Sequence, residues 1–174
     1  NFMRNAQAAG VRRVVLSSSG LTQVGLEIEL LPGGSLEGQL IGVSHATSTT
    51  STYGESKVFV ERLGQYYSKG HGVECIVVRI GTVIPNESEH WERGGRLQAT
   101  AFLQADVSNF FSAAVGADFS YWDPQTCEGH PNVPGFLLTA AQSCSPARFI
   151  DLEPGISALG WAPIEWPTGP ENLQ

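Results

Sequence analysis

The sequence has 174 residues, of which 41% are hydrophobic and 16% are charged, and its formal net charge is −7. This length is enough for one domain with a real core, and the composition is typical of a globular protein. The acidic balance argues against nucleic acid as a partner, because a phosphate-binding surface usually needs a basic excess. No run reaches the roughly 18 apolar residues that cross a bilayer, so we expect no membrane segment.

Cysteine and histidine give no sign of a metal site. The three cysteines include no Cys-x-x-Cys pair, and the four histidines are scattered without the close spacing of a zinc site. Cys75 lies in an apolar run and reads as a small core residue, whereas Cys127 and Cys144 could pair but nothing requires it. With no signal-peptide pattern, we expect a reducing, cytoplasmic location.

The first segment predicts half of a βαβ unit. Residues 1–10 look like the end of a helix, in which Phe2, Ala6 and Ala9 follow helical spacing and Gly10 lies just past the last turn. Residues 11–16 predict a strand buried on both faces, as in a parallel sheet. Because the sequence opens with Asn1 on a helix whose preceding strand is absent, we expect it to be a piece of a longer chain with an open sheet edge.

Hydroxyl-rich segments follow this strand. Residues 17–20, Ser-Ser-Ser-Gly, predict a polar loop at the strand's carboxyl end, where open α/β sheets form their sites. Residues 21–51 contain a Pro-Gly-Gly turn signal and end in a run of Ser and Thr, so we expect a mobile loop. Thr52 is the expected cap of a helix over residues 52–68, with Val58 and Leu63 on its apolar face and Glu61 on its solvent side.

The remaining chain predicts a second strand and a smaller region. Residues 73–80 form the next buried strand, in which Arg79 needs a partner if it is buried. Residues 86–95 predict a surface loop, residues 96–115 a helix, residues 118–134 a loop and residues 135–141 a last strand. Residues 146–159 predict a final helix broken at Pro154, before a Pro-rich tail from residue 165. We therefore divide the chain at residue 85, with 1–85 Rossmann-like and 86–174 binding substrate.

The stretch that points to chemistry is Tyr53-Gly54-Glu55-Ser56-Lys57. On a helix, positions i and i+4 share one face, so the phenol of Tyr53 lies about one turn from the ammonium of Lys57. A neighbouring ammonium favours the phenolate form and makes a phenol usable as a general acid or base. The alternative is a surface pair at the start of a helix, because Tyr and Lys occur at this spacing by chance in many helices. The serines before it and the apolar strand after it favour the catalytic interpretation.

These motifs resemble the extended short-chain dehydrogenase/reductases, the NAD-dependent epimerase/dehydratase group. Their order is strand, serines, Tyr-x-x-x-Lys helix and Arg79-Ile80-Gly81 strand exit. Within that group the chain is similar to uronate dehydrogenases and related sugar dehydrogenases, also through Leu159-Gly160-Trp161-Ala162-Pro163. The resemblance implies an α/β fold, the carboxyl-terminal part of a Rossmann-type doubly wound parallel sheet with a small α/β substrate-binding region.

The resemblance also implies roles for individual residues. Tyr53 would be the acid/base, Lys57 would bond the nicotinamide ribose, and Ser19 or Ser18 would bond the reacting oxygen. Thr82 would touch the substrate or the nicotinamide end, and Arg96 could pair with a substrate carboxylate or be a surface arginine. The residues expected to contact NAD or NADP are Tyr53, Lys57, Ser17, Ile80 and Gly81. The expected partner is a sugar-like small molecule, and the group often forms homodimers.

Two departures keep alternatives open. No Gly-x-Gly-x-x-Gly follows a strand, so the turn that cradles a pyrophosphate is not in this sequence. The segment between Ser19 and Tyr53 is also longer than is usual for the family, and Phe102-Leu103-Gln104 stands where Trp-Leu-Ser is expected. The hypotheses are an NAD(P)-dependent oxidoreductase or a fragment of one, a sugar epimerase or dehydratase, and a non-catalytic binding relative.

Overall fold

A computed structural model describes residues 2–84, 95–118 and 135–164. Helix α1 is Phe2–Ala8, strand β1 is Arg13–Ser19, helix α2 is Thr52–His71 and strand β2 is Glu74–Ile80. Short pieces follow: β3 Thr82–Val83, α3 Arg96–Thr100, β4 Ala101–Phe102, α4 Gln104–Gly116, β5 Phe136–Ala141 and α5 Glu153–Leu159. The described residues contain no helix long and apolar enough to cross a membrane.

A parallel sheet organises the described residues. Its strand order is β1-β2-β5, and both neighbouring pairs are parallel. The register places Ser18 beside Arg79 and Ser19 beside Ile80, so β1 and β2 end together. Within the described part of the chain, β1 is an edge strand of this sheet.

Helices cover both faces of this sheet. Gly64 of α2 faces Val77, whereas Gly155 of α5 faces Thr139, the register partner of Val78. Because successive side chains of a strand point to opposite faces, α2 and α5 lie on opposite sides of the sheet. The predicted α/β class, with a parallel sheet flanked by helices, is therefore confirmed.

Strand β1 differs from its prediction. It spans Arg13–Ser19 instead of residues 11–16, so the three serines lie in the strand and not in a loop. Val14 is buried, but Val15 and Leu16 are only half-buried, so the strand is less enclosed than predicted. The pairing with β2 continues through the serines. The Ser18 hydroxyl can be wholly buried in the strand because it donates a hydrogen bond to Glu61.

Helix α2 corrects two further predictions. Its cap is Ser51, whose hydroxyl accepts a hydrogen bond from the Gly54 amide, and not Thr52. Glu61 is buried instead of facing solvent, because it pairs with Arg79 of β2. The helix ends at His71, and Gly72 follows with φ +65°, a left-handed conformation that glycine adopts without strain.

The second half of the chain is more divided than predicted. The expected helix over residues 96–115 is two helices, α3 and α4, separated by β4, which pairs with β3 outside the main sheet. The last helix begins at Glu153, and Pro154 lies in its first turn, where its missing N–H costs no helical bond. The predictions for residues 86–94, 119–134 and 165–174 lie outside the described residues.

Residues 20–51, which we call the covering segment, pack against the rest of the fold. It begins with 3₁₀ turns at Gly20–Thr22 and Val24–Leu30. Ile41 pairs in a short bridge with Ile150, and Leu36, Ile41 and Val43 join the buried core. The predicted turn at residues 32–34 is present, with Gly33 at φ +86°. Burial of these apolar side chains fixes the segment against the rest of the fold.

Candidate active site

A cavity of about 290 Å³ lies at the carboxyl ends of β1 and β2. Parallel α/β sheets commonly form their ligand sites at this edge. The residues that line the cavity come from the strand ends, the start of α2, and the α3 and β5 regions: Ser19, Gly20, Leu21, Tyr53, Ile80, Gly81, Thr82, Arg96, Thr100 and Gln142. The fold therefore gathers Tyr53, Ser19, Ile80, Gly81, Thr82 and Arg96, all singled out from the sequence, around one space.

Tyr53 and Lys57 occupy the first turns of α2. Tyr53 is half-exposed and lines the cavity. The Nζ atom of Lys57 lies 5.5 Å from the centre of the Tyr53 ring and donates a hydrogen bond of 3.0 Å to the carbonyl oxygen of Ser17. The Ser17 carbonyl therefore fixes the ammonium at the end of β1, close to the tyrosine.

The three serines of β1 have different surroundings. Ser19 lines the cavity, and its hydroxyl accepts a hydrogen bond from the Leu21 amide at 3.2 Å. Ser17 is exposed and contributes its backbone carbonyl to Lys57. Ser18 is wholly buried and donates to Glu61 at 2.6 Å. The structure therefore brings Ser19, but not Ser18, to the cavity with Tyr53.

Two glycines of the sequence motifs are required by close packing. A Cβ atom at Gly54 would collide with the Thr49 hydroxyl and the Leu21 carbonyl oxygen. A Cβ at Gly81 would collide with the Thr100 carbonyl oxygen and with Gln142. Gly54 therefore lets the start of α2 approach the 3₁₀ turn after β1, and Gly81 lets α3 approach the end of β2.

Thr82 and Arg96 lie on the far wall of the cavity. The Thr82 hydroxyl is 3.0 Å from the Thr100 hydroxyl, and the Thr100 hydroxyl donates to the Arg96 carbonyl at 2.9 Å. The Arg96 guanidinium is engaged by Glu27, with Nη2 2.7 Å from Oε1 and Nε 2.9 Å from Oε2. Arg96 is thus an exposed arginine whose Nε–Nη2 edge is paired with Glu27, and its contact with a substrate carboxylate stays a prediction.

Three residues of this region were not predicted from the sequence: Thr100, Gln142 and Glu27. Gln142 follows β5 and is 2% exposed, and its Oε1 atom has no hydrogen-bond partner among the described residues. Nothing local in the sequence marks these residues, because only the tertiary fold brings Thr100 and Gln142 to the cavity and Glu27 to the cavity residue Arg96. A polar residue directly after an apolar strand is the one signal that could have pointed to Gln142.

A buried network of Ser18, Glu61 and Arg79 holds α2 on the sheet. Glu61 accepts from Arg79 through two bonds of 2.8 Å each and from Ser18 at 2.6 Å. All three side chains are at least nine-tenths buried. The network lies two turns after Tyr53 on the same helix, so it sets the height and rotation of the Tyr53-Lys57 turn relative to β1.

Among the described residues, no group of three or more His, Cys, Asp and Glu side chains could hold a metal ion. The polar groups around the cavity that could contact a bound cofactor or substrate are hydroxyls, the Gln142 amide and the Arg96 guanidinium, with the Lys57 ammonium nearby. A nicotinamide ribose would fit beside Lys57 and Tyr53, where a hydrogen-bond donor and a half-exposed phenol lie at the strand ends.

No protein-family model matches the chain. The uncharacterized protein YtbQ of Bacillus subtilis is 25% identical over 160 residues, which are 92% of this chain and 56% of that protein. The L-arabinose 1-dehydrogenase (NAD(P)(+)) of Haloferax volcanii is 44% identical over 48 residues, 28% of this chain and 19% of the enzyme. The NAD-dependent glucose-6-phosphate dehydrogenase of the same organism is 33% identical over 73 residues, 41% and 27% of the two chains.

Solved structures share the fold over nearly the whole chain. A mutant uronate dehydrogenase of Agrobacterium tumefaciens, complexed with NAD, superposes with a TM-score of 0.68 at 23% identity and covers 94% of this chain and 51% of its own. A UDP-galactose 4-epimerase superposes with a TM-score of 0.63 at 16% identity, covering 95% and 62%. The chain thus has the Rossmann-type fold of these enzymes and spans about half the length of the proteins that it matches most fully.

Proposed function

We propose that this chain carries the catalytic part of an NAD(P)-dependent oxidoreductase that acts on a sugar or a related small alcohol or carbonyl compound. The observation that carries the proposal is the shared cavity of Tyr53 and Ser19, with the Lys57 ammonium held one helical turn away. The short, more similar stretches shared with two sugar dehydrogenases of Haloferax volcanii support the same reaction class.

In this proposal Tyr53 moves the proton. During oxidation of an alcohol, its phenolate takes the hydroxyl proton, and during reduction of a carbonyl the phenol returns it. The Lys57 ammonium stabilises the phenolate by charge, and Ser19 donates a hydrogen bond to the reacting oxygen. A bound nicotinamide would supply the hydride acceptor or donor. The neutral hydroxyls of Thr82 and Thr100 would orient the rest of the substrate.

The residues present fit one end of the cofactor. Lys57, Tyr53 and the strand-end residues Ser17, Ile80 and Gly81 would hold the nicotinamide ribose. The pyrophosphate normally lies on a Gly-rich turn at a helix N-terminus, and this sequence contains no such motif after a strand. We propose that the division at residue 85 separates this cofactor-facing part from the part that contacts substrate, and that a longer parent chain or a partner supplies the pyrophosphate turn.

The second candidate is a sugar epimerase, favoured by the fold shared with a UDP-galactose 4-epimerase. The same Tyr-Lys pair would serve it, because epimerisation through a keto intermediate also requires proton removal from a hydroxyl group. The two reactions differ in net redox change. An epimerase returns its cofactor to the starting state in each turnover, whereas a dehydrogenase accumulates reduced cofactor.

The test is turnover of the full chain with NAD or NADP and a panel of aldoses, followed by the absorbance of reduced nicotinamide. Tyr53→Phe removes the proton-transferring hydroxyl and should lower the rate about 10²- to 10⁴-fold. The matched control is Tyr66→Phe, an exposed residue of the same helix whose ring contacts with Tyr67 and His71 a phenylalanine keeps. Undiminished turnover of the Tyr53→Phe protein would refute the proposal. Neither turnover nor calorimetric binding of NAD or NADP would favour the non-catalytic relative.

A further inference from the structure

The cavity contains one formally charged lining residue among those the structure describes, Arg96, and an internal carboxylate already neutralises it. Glu27 approaches the guanidinium with both oxygens, at 2.7 Å, 2.9 Å and 3.1 Å from Nη2 and Nε. This two-pronged arrangement is the one that a carboxylate ligand would adopt on an arginine. A ligand carboxylate that took the same two-pronged position on Nε and Nη2 would therefore have to displace Glu27.

Glu27 is held in this position by the fold. It lies in the 3₁₀ segment Val24–Leu30, where the Gly25 amide donates to the Ser48 carbonyl at 2.7 Å. The preceding Gln23 is buried, and its side-chain amide donates to two carbonyls of the covering segment, those of Gly42 and His45, at 2.9 Å each. Hydrogen bonds on the preceding residues thus hold the backbone that places the Glu27 carboxylate beside Arg96.

The rest of the cavity offers neutral hydrogen-bonding groups. Gln142 is 2% exposed, and its buried Oε1 atom has no partner among the described residues. The hydroxyls of Thr82 and Thr100 lie on the same cavity wall. A buried acceptor without a partner is satisfied when a ligand donates to it, and a sugar hydroxyl can both donate and accept.

We propose that Glu27 is a specificity-determining residue that makes this cavity select uncharged polyhydroxy compounds and reject their carboxylate counterparts, with Gln142 binding a ligand hydroxyl. The inference rests on the proposed function in placing a sugar in this cavity. It concerns which sugar the cavity accepts and not the chemistry performed on it. The carboxylate of Glu27 repels an acidic ligand and blocks the arginine that would otherwise attract it.

The experiment compares sugars that differ only in the oxidation of C6: D-glucose with D-glucuronate, and the galacto and manno pairs likewise. Binding to the full chain is measured by calorimetry and by ligand-observed NMR, with turnover recorded in parallel. We expect the unaltered protein to bind the aldose of a pair at least about tenfold more tightly than its uronate. Glu27→Gln should tighten uronate binding about tenfold, because a charge-assisted hydrogen bond becomes available, and leave the aldose within about twofold.

Three variants make the result specific. Glu37→Gln removes one charge from the same covering segment at an exposed position where the carboxylate accepts from the Gly33 amide and does not pair with Arg96, so it should change neither affinity. Glu27→Gln combined with Arg96→Met should lose the gain in uronate binding, because that gain passes through Arg96. Gln142→Leu should weaken both members of a pair about tenfold, because a hydrogen bond from the ligand is lost without any change of charge.

The inference is overturned if the unaltered protein binds uronates as well as aldoses, if it binds no sugar, or if Glu27→Gln behaves like Glu37→Gln. Binding is measured without hydride transfer, so the two proposals fail separately. Selective binding of aldoses without turnover would contradict the dehydrogenase function and support the role of Glu27. Turnover with uronates preferred would support the dehydrogenase function and overturn the role of Glu27.

Discussion

Glu61 of helix α2 and Arg79 of strand β2 form a buried ion pair closed by two hydrogen bonds of 2.8 Å each. The third bond to Glu61 comes from Ser18, the register partner of Arg79 on the neighbouring strand. One carboxylate thus joins helix α2 to two adjacent strands. Because Tyr53 and Lys57 lie on the same helix, this buried pair positions the candidate catalytic turn against the end of β1.

Replacement of Glu61 by glutamine should strongly destabilise the protein. The guanidinium of Arg79 is 3% exposed, so the variant leaves a buried charge without its counter-ion, which costs about 3–5 kcal/mol in the free energy of unfolding. Urea unfolding at neutral pH measures this cost. The adjacent Arg62→Gln removes a charge from an exposed position of the same helix and should stay within about 0.5 kcal/mol. Similar losses for both variants would contradict the role of the pair.

Alanine at Gly64 should be destabilising, whereas alanine at Gly70 of the same helix should be stabilising. A Cβ at Gly64 would lie 2.7 Å from Val77 Cγ2 and 3.2 Å from Leu16 Cδ1, which costs about 1–3 kcal/mol through overpacking. A Cβ at Gly70 meets nothing within 4 Å, so the better helix propensity of alanine should contribute about 0.5–1 kcal/mol. Thermal melts of the two variants check the opposite signs, and a common sign would contradict this packing.

Replacement of Lys57 by methionine should remove activity with little loss of stability. The ammonium donates to the Ser17 carbonyl, but Ser17 is exposed, so water can take the place of that bond. The proposed proton transfer at Tyr53 then loses its neighbouring positive charge, and we expect turnover to fall at least about 100-fold. Lys69→Met, exposed near the end of the same helix, is the control. If activity and melting temperature fall together in Lys57→Met, the effect is structural and not catalytic.

Cys75 should be unreactive towards alkylating reagents in the folded protein. Burial raises the pKa of its thiol from 9.0 to about 11, so at pH 8 only about one thiol in a thousand is the reactive thiolate. A protein carrying Cys127→Ser and Cys144→Ser should resist iodoacetamide at pH 8 and react fully in guanidinium chloride. A protein that keeps only the exposed Cys144 should react without denaturant. Rapid native labelling of Cys75 would contradict its burial.

The Cys75 thiol should lower the free energy of unfolding at high pH. Its folded pKa lies above the unfolded value, so its contribution is fully present below about pH 9 and is lost as the pH rises towards 11. Cys75→Ala should flatten the pH dependence of the unfolding free energy between these values. An unchanged slope in that variant would show that another group titrates there.

The sequence predicted the elements whose structure depends on neighbouring residues. The apolar run of β2, the helix that ends at a left-handed Gly72 and the spacing of Tyr53 and Lys57 are all visible in the sequence, because strand burial, helix termination and i,i+4 geometry depend on neighbouring residues. One wrong local prediction arose where a distant partner changed the outcome. Glu61 was placed on the solvent side because its partner, Arg79, lies 18 positions away on a strand.

By itself, the sequence determined the α/β class, the parallel strands and the candidate Tyr53-Lys57 pair, since these follow from hydrophobic periodicity and short-range spacing. Only the tertiary structure decided which serine reaches the cavity, that Glu61 joins Ser18 to Arg79, and that Glu27 covers Arg96 beside Gln142. The physical reason is that these contacts join segments up to 69 residues apart. Strand register and the burial of the covering segment bring them together, and no local pattern encodes either of these.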